Sequence, residues 1–184
     1  TGLATVLDAF QTANELADLS GLSSSRFDVT VVGVRKIVKT SLGLTVPVRP
    51  VAKRTPECVV VPAIGFKMPD PLQRALTRPD IRDATDVLRQ WADQGATMSA
   101  ACIGTFVLAE SGLLDHHDAT TTWWLAPLFR MRYPAVRLDE SHMLVKSGRV
   151  VTAGAALSHM DLALWLIRQQ SPKLADLTAK YLIV

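Results

Sequence analysis

Residues 57–66 read ECVVVPAIGF, an unbroken apolar run rich in β-branched residues and stopped by Pro62 and Gly65. A strand without polar alternation has no face to give to water, so it fits a parallel sheet covered on both sides. Parallel neighbours cannot be joined by a tight turn; they need a crossover, usually a helix. The chain supplies these units in alternation. TMSAAC (97–102) is a second short strand, followed directly by the helical pattern IGTFVLAESGLL (103–114). AVRLDESHMLVKSGRVVTAG (135–154) holds two or three strands with a turn at Ser147-Gly148. Strands alternating with helices predict right-handed crossovers and a mostly parallel sheet with helices on both sides. Val59–Val61 and Met98–Ala101 are expected in its central strands.

The remaining segments fill in this plan. Leu3, Val6, Leu7, Phe10, Ala13, Asn14 and Leu16 follow a helical rhythm that GLSSS (21–25) ends. RFDVTVVGV (26–34) reads as a buried strand, and KIVKTSLGLTVPVRPV (36–51) as a hairpin about Ser41-Leu42-Gly43. Residues 70–96 are helical with an interruption at Pro79; Ile81, Ala84, Leu88 and Trp91 share a face, and Asp80 is the expected N-cap. WWLAPLFRMR is a short helix ended before Pro134. Two helices close the chain, the last with Ser171 as N-cap and Pro172 as first helical residue. A doubly wound fold usually opens on a strand, whereas this chain opens on a helix, so a first strand is expected before Thr1.

The length, 184 residues, fits one domain spanning 1–184. A hydrophobic fraction of 48% supports a full core and argues against disorder. No apolar run is long enough for a membrane-spanning helix, and no charged n-region with an apolar h-region opens the chain. Two cysteines, Cys58 and Cys102, make no disulfide framework, so a reducing cytoplasm is expected. The net charge of +3 is small and its Lys and Arg residues are scattered, which predicts weak, non-selective DNA binding by this chain alone. No phosphate loop and no metal-ligand spacing is present, so neither cofactor nor metal is expected.

Three loops follow strand ends, where open parallel sheets place ligands: Pro62–Gly65, Ala101–Gly104 and Gly154–His159. Cys102 sits among small residues where strand passes into helix, a turn that presents a nucleophile. The competing reading is a small buried hydrophobe, common for free cysteines.

SAACIGTFVLAESGLLDHHDATTTWWLAPLF together with GRVVTAGAALSHMDLALWLI resembles the class I glutamine-amidotransferase-like, PfpI-type fold. More narrowly it resembles the N-terminal sensor domain of AraC-type transcriptional regulators; DAFQTAN and LADLTAKYLIV agree. The resemblance implies a flavodoxin-like three-layer α/β/α sandwich with its cysteine at a nucleophile-elbow turn. It also implies a homodimer and a DNA-binding helix-turn-helix domain after Val184. In the family the segment after the nucleophile turn reads Ala-Thr-Thr-His-Trp, and its His pairs with the Cys. Here Ala119-Thr120-Thr121-Thr122-Trp123 puts Thr122 in that place. A hydroxyl cannot take a proton from a thiol near neutral pH, whereas an imidazole can. Related enzymes carry a Glu after the first strand; the matching position is Gly2. Ala63 stands where many relatives have Gly, and its N–H is a candidate oxyanion-type donor.

His159, in the loop that the resemblance places beside the nucleophile, is either a substitute base or ligand donor or a side chain turned outward. His116 and His117 occupy a polar turn, and His142 opens a strand at an edge. Trp123 and Trp124 with Leu125 and Phe129 form an apolar cluster, read as core or as a dimer face rather than a stacking platform; the last helices are the other candidate contact. The expected reading is a non-catalytic, effector-sensing and dimerising domain that touches DNA only through a further domain and does not bind membranes. Its effector, of unknown identity, would be lined by Ala63, Ile64, Cys102, Ile103, Thr122, Ser158 and His159. The helix N-terminus is expected to favour the Cys102 thiolate and make it more reactive than Cys58. A cysteine hydrolase or hydratase acting on a small molecule, with His159 as base, is the alternative, and an empty-pocket scaffold the third reading.

Overall fold

The computed structural model describes residues 2–22, 26–51 and 54–182. Ser23–Ser25 of the predicted helix break, Ala52 and Lys53 after the predicted hairpin, and Ile183 and Val184 of the last helix lie outside the described residues. The elements run α1 (Gly2–Leu19), β1 (Val32–Gly33), β2 (Val38–Lys39), β3 (Thr45–Val46), β4 (Arg49–Pro50), β5 (Cys58–Val61), α2 (Pro69–Leu76) and α3 (Pro79–Asp93). They continue with β6 (Thr97–Ala101), α4 (Gly104–Glu110), β7 (Asp118–Ala119), a 3-10 turn (Trp123–Leu125), α5 (Ala126–Arg132), β8 (Arg137–Leu138), β9 (Leu144–Ser147), β10 (Val150–Ala153), α6 (Ser158–Gln170) and α7 (Pro172–Leu182).

The main sheet has the order β5-β6-β10-β9. β6 lies parallel to both β5 and β10, and β9 returns antiparallel through the expected Ser147-Gly148 turn. Side-chain alternation sorts the helices. Val60, Ala101, Val151 and Ala153 pack toward α1, α6 and α7. Val61, Met98, Ala100 and Val150 pack toward α2, α3, α4 and α5. This is the three-layer α/β/α sandwich, mostly parallel, that the alternating pattern predicts. Among the described residues no helix is long and apolar enough to cross a membrane. The last helix starts as its sequence requires: the Leu174 N–H donates to the Ser171 hydroxyl at 3.2 Å, and Pro172 opens the first turn.

Several expectations are corrected. Met98–Ala101 are central, but Val59–Val61 form the end strand of this sheet, with no strand on the other side of β5 among the described residues. Both faces of β5 are nonetheless covered, which is what its unbroken apolar run reflects. Residues 26–34 are not a buried strand: only Val32 and Gly33 pair, in parallel with Arg49 and Pro50 in a separate two-stranded sheet, and 28–30 are exposed. β-branched residues favour an extended backbone whether or not a neighbour covers it. Asp80 is not an N-cap; Arg78 holds that position, Pro79 takes the first helical residue, and Asp80 pairs with Arg78 at 2.5 Å. His142 precedes β9 and lies exposed, bound to Asp139 at 2.7 Å.

Asn14 does something that its place in an apolar rhythm hides. Its side-chain Nδ2 donates to the Phe27 carbonyl at 2.9 Å and its Oδ1 accepts the Phe27 N–H at 2.7 Å. That clamp fixes the chain leaving α1 and sets Phe27 against Phe10, ring centroids 5.0 Å apart. Asn14→Ala removes both bonds and is expected to cost about 2 kcal/mol, at roughly 1 kcal/mol for each. Urea denaturation checks this, and an unchanged midpoint would contradict it.

Candidate functional site

Cys102 follows the last residue of β6 with φ at +55°, a left-handed conformation that non-glycine residues adopt at a cost. Neighbours hold it there. Its N–H donates to the Ala153 carbonyl at the end of β10, 2.8 Å away. Its carbonyl accepts the Thr121 hydroxyl at 2.9 Å and the Thr105 N–H at 3.3 Å. Such over-determination is what keeps a strained residue in place. The sharp turn also needs α4 to start against the end of β5. A Cβ on Gly104 would stand 2.9 Å from the Pro62 oxygen and nearer still to the Val61 oxygen, so only glycine fits. The nucleophile-elbow geometry that the small residues predict is therefore present, and the three loops meet at the carboxyl end of the sheet.

The expected chemistry at the turn is corrected. Cys102 is 4% exposed, and burial pushes its thiol pKa up from the ordinary value; the Ile103 N–H, the Thr122 hydroxyl and the Lys67 charge only partly oppose this. Burial thus works against the thiolate that the helix N-terminus is expected to favour. Cys58, at the start of β5, is half-buried with its pKa also raised, first by burial. Iodoacetamide is therefore expected to modify Cys58 before Cys102 in the folded chain. Faster loss of Cys102 by peptide mass spectrometry would contradict the burial.

Thr122 lies toward the thiol, as expected for the residue in the place of the family's His. It acts to lower the thiol pKa, yet its hydroxyl meets no hydrogen-bond geometry with the sulfur or any other group among the described residues. The Thr105 and Thr120 hydroxyls are likewise buried without a partner. The three consecutive threonines divide the work: the Thr120 N–H donates to the Thr152 hydroxyl at 2.8 Å, Thr121 pins the elbow, and Thr122 faces the thiol.

His159 corrects one of the two readings offered for it. It is 1% exposed, so it does not turn outward. Its Nδ1 donates to the Ala156 carbonyl at 3.0 Å, which leaves Nε2 as the acceptor; there it receives the Ala63 N–H at 3.4 Å. Burial pushes its pKa below the ordinary value. The ring covers the one backbone donor that the sequence offers as an oxyanion-type group, and it occupies the space beside Gly2. A Cβ on Gly2 would stand 2.6 Å from the ring Cδ2 and Cε1 atoms and closer to Nε2. The space beside Gly2 is thus filled from across the fold by an imidazole.

Of the other predicted site residues, Ile103 is buried, and Ala63 and Ile64 are half-buried on the loop that edges the site. Ser158 is buried but closes its own turn on the Ala155 carbonyl. His116 and His117 stay in a turn away from this site, with His117 Nδ1 3.0 Å from the Ser147 hydroxyl. The tryptophan cluster divides: Leu125 and Phe129 are core, Trp123 is 72% exposed, and Trp124 donates to the Lys67 carbonyl at 3.0 Å. Thr121 and Lys67 belong to the site's surroundings and were not legible as such. Among the described residues no three His, Cys, Asp or Glu side chains converge to hold a metal ion.

Comparison with known proteins follows this geometry. The chain is 35% identical over 100 residues to the HTH-type transcriptional regulator CdhR of Pseudomonas aeruginosa, covering 52% of this chain and 30% of that protein. It is 28% identical over 99 residues to the HTH-type transcriptional regulator GbdR of the same species, covering 54% of this chain and 26% of that one. The matched segments thus span less than a third of those regulators. The fold is shared with an AraC family transcriptional regulator from Pseudomonas putida, at TM-score 0.78, 20% identity, and 98% and 91% coverage of the two chains. It is shared also with Drosophila melanogaster DJ-1beta, at TM-score 0.73, 20% identity, and 100% and 90% coverage. The DJ-1/PfpI family model matches residues 4–169, and the chain belongs to the DJ-1/PfpI family.

Proposed function

We propose that this chain is the effector-sensing and dimerising domain of an AraC-type, helix-turn-helix transcriptional regulator, working in the cytoplasm without catalysis. The observation that carries the reading is the state of the elbow. Cys102 has a nucleophile's backbone but a buried thiol whose pKa is pushed up by that burial, Thr122 beside it cannot serve as base, and His159 faces the Ala63 N–H. A nucleophile with no base is weak, which weighs against the hydrolase or hydratase reading. What remains is a set of buried, unpartnered hydroxyls at the carboxyl edge of a sheet, suited to a small polar effector bordered by Ala63, Ile64, Cys102 and Thr122. The likeness to HTH-type regulators about twice as long as this chain supports a separate DNA-binding domain. An effector with unequal affinity for two arrangements of the dimer would then bias DNA binding.

Thermal denaturation against a panel of small carboxylates, amino acids and amides tests the site. At least one class is expected to raise the melting temperature of the wild-type chain and not of Thr122→Leu, which loses the unpartnered hydroxyl. A shift that survives Thr122→Leu would place binding elsewhere. In gel shifts the 184-residue chain is expected to show only weak, sequence-independent binding, and tight selective binding would overturn the assignment of DNA contact to another domain.

A further inference from the structure

The groups around Cys102 that are free to bind are donors, and the one charge that acts on the thiol is positive. The Thr122 hydroxyl is fully buried without a partner. The Lys67 side chain is exposed, and among the described residues no ion pair engages it. Its ammonium stands near enough to the thiol for its charge to be felt there. The neighbouring carbonyls are already engaged. That of Cys102 accepts the Thr121 hydroxyl and the Thr105 N–H, and that of Lys67 accepts the Trp124 Nε1–H at 3.0 Å. Donors beside a cation suit a ligand that accepts and carries negative charge, a carboxylate before an amide.

The surface next to these groups is apolar. Trp123, which directly follows Thr122, is 72% exposed and meets Trp124 edge-on, ring centroids 6.0 Å apart. Met68, which directly follows Lys67, is 63% exposed. The bond from the Trp124 indole to the Lys67 carbonyl ties the two stretches together, so the free ammonium and the open indole are held on either side of one hydrogen bond. A large aromatic ring left this open gains most when an apolar group covers it. Thr122 is in the interior and Lys67 at the surface, so the polar pair leads outward to that ring.

We propose that the effector of this site is an amphipathic carboxylate, its head group held between the Lys67 ammonium and the Thr122 hydroxyl and its apolar body laid over Trp123 and Met68. The inference rests on the effector-site reading above and adds the ligand's class and two specificity-determining residues. Lys67 selects for charge, because covering it with the ligand's body removes water from the ion pair and strengthens it. Trp123 selects for apolar area. The same ligand bears on both stretches that the Trp124–Lys67 bond joins, so its binding is felt in the loop that begins at Pro62 and in the turn that begins at Trp123.

Titration calorimetry on the 184-residue chain tests this with acetate, phenylacetate and octanoate, and with the amides of the same three bodies. Phenylacetate or octanoate is expected to bind at least about tenfold more tightly than its own amide and than acetate, the scale of one charge-assisted bond. Lys67→Met is expected to weaken that carboxylate at least about tenfold, and Lys67→Arg, which keeps the charge, to restore most of the loss. Trp123→Ala is expected to weaken it while leaving its preference over the amide unchanged. Both side chains are exposed, so the unliganded melting temperatures should match wild type. Amides that bind as tightly as the carboxylates, or carboxylate binding that Lys67→Met leaves unchanged, would overturn the inference; if Thr122→Leu abolishes that binding, the effector-site reading stands. Failure of all three carboxylates, with another member of the wider panel binding in a manner lost in Thr122→Leu, would likewise overturn the inference alone. Binding that survives Thr122→Leu, Lys67→Met and Trp123→Ala would overturn both, as would no binding by any member of the panel.

Discussion

Gly104→Ala is expected to be among the most damaging single substitutions in this chain, lowering stability by about 3 kcal/mol, at the upper end of what overpacking costs. The reason is the partner of the added methyl group. Its contacts would be the Val61 and Pro62 carbonyls, with the Pro62 carbon 3.0 Å away. These are backbone atoms of the strand and loop that form one side of the site. No rotamer change relieves such an overlap; α4 or the end of β5 has to move. α4 is buried along its length from Gly104 to Ala109, so a shift there disturbs the larger of the cores. For a chain of this size the loss corresponds to a fall in melting temperature of roughly 6–12 °C. Scanning calorimetry measures it, and a melting temperature within a degree of wild type would show that α4 does not need its close approach.

The second large effect concerns His159 and Gly2 as a pair. His159→Ala removes a buried ring, opens a cavity and leaves the Ala63 N–H without its acceptor. The expected cost is about 2–4 kcal/mol. Gly2→Ala alone drives a methyl group into the same ring and is expected to destabilise by about 1–3 kcal/mol. The double variant should be no worse than His159→Ala, because the new methyl enters the vacated space. The coupling is then favourable by about 1–3 kcal/mol. Additive losses would mean that the imidazole does not occupy the space beside Gly2. The pH dependence has a definite sign. Burial holds the folded-state pKa of His159 below its ordinary value of 6.5, so the neutral ring is the form that stabilises. Its contribution is complete above pH 6.5 and is lost as pH falls toward the depressed folded value. The gap between wild type and His159→Ala should therefore narrow on acidification below that point.

The sheet, the helices and the elbow were legible because each is written in a local pattern. An unbroken apolar run marked β5, a short stretch running straight into a helical pattern marked β6, helical spacing marked α1 and α3, and Ser171-Pro172 marked the start of α7. The state of the site was not legible, since it depends on depth and on partners far apart in sequence. A cysteine before a helix looks like a thiolate until the burial of its turn is known. His159 looks like a base or a surface residue until the loop at Ala63 and the start of α1 are seen on either side of it. Thr122, in the place where the resemblance implies a His, was legible because the identity of a single residue in a short motif needs no knowledge of depth or distant partners. Residues 26–34 misled because β-branched composition reports a preference for extended backbone and not the presence of a neighbour.

The central claim is that Cys102 stands in a binding site and not a catalytic one. The most direct measurement is turnover of a panel of small amides, esters and aldehyde adducts by the wild-type chain, Cys102→Ala and His159→Gln. The account predicts no hydrolysis or hydration above the buffer rate that disappears in Cys102→Ala. Turnover abolished in both Cys102→Ala and His159→Gln, with all three proteins folded by circular dichroism, would contradict it and establish a working cysteine–histidine enzyme.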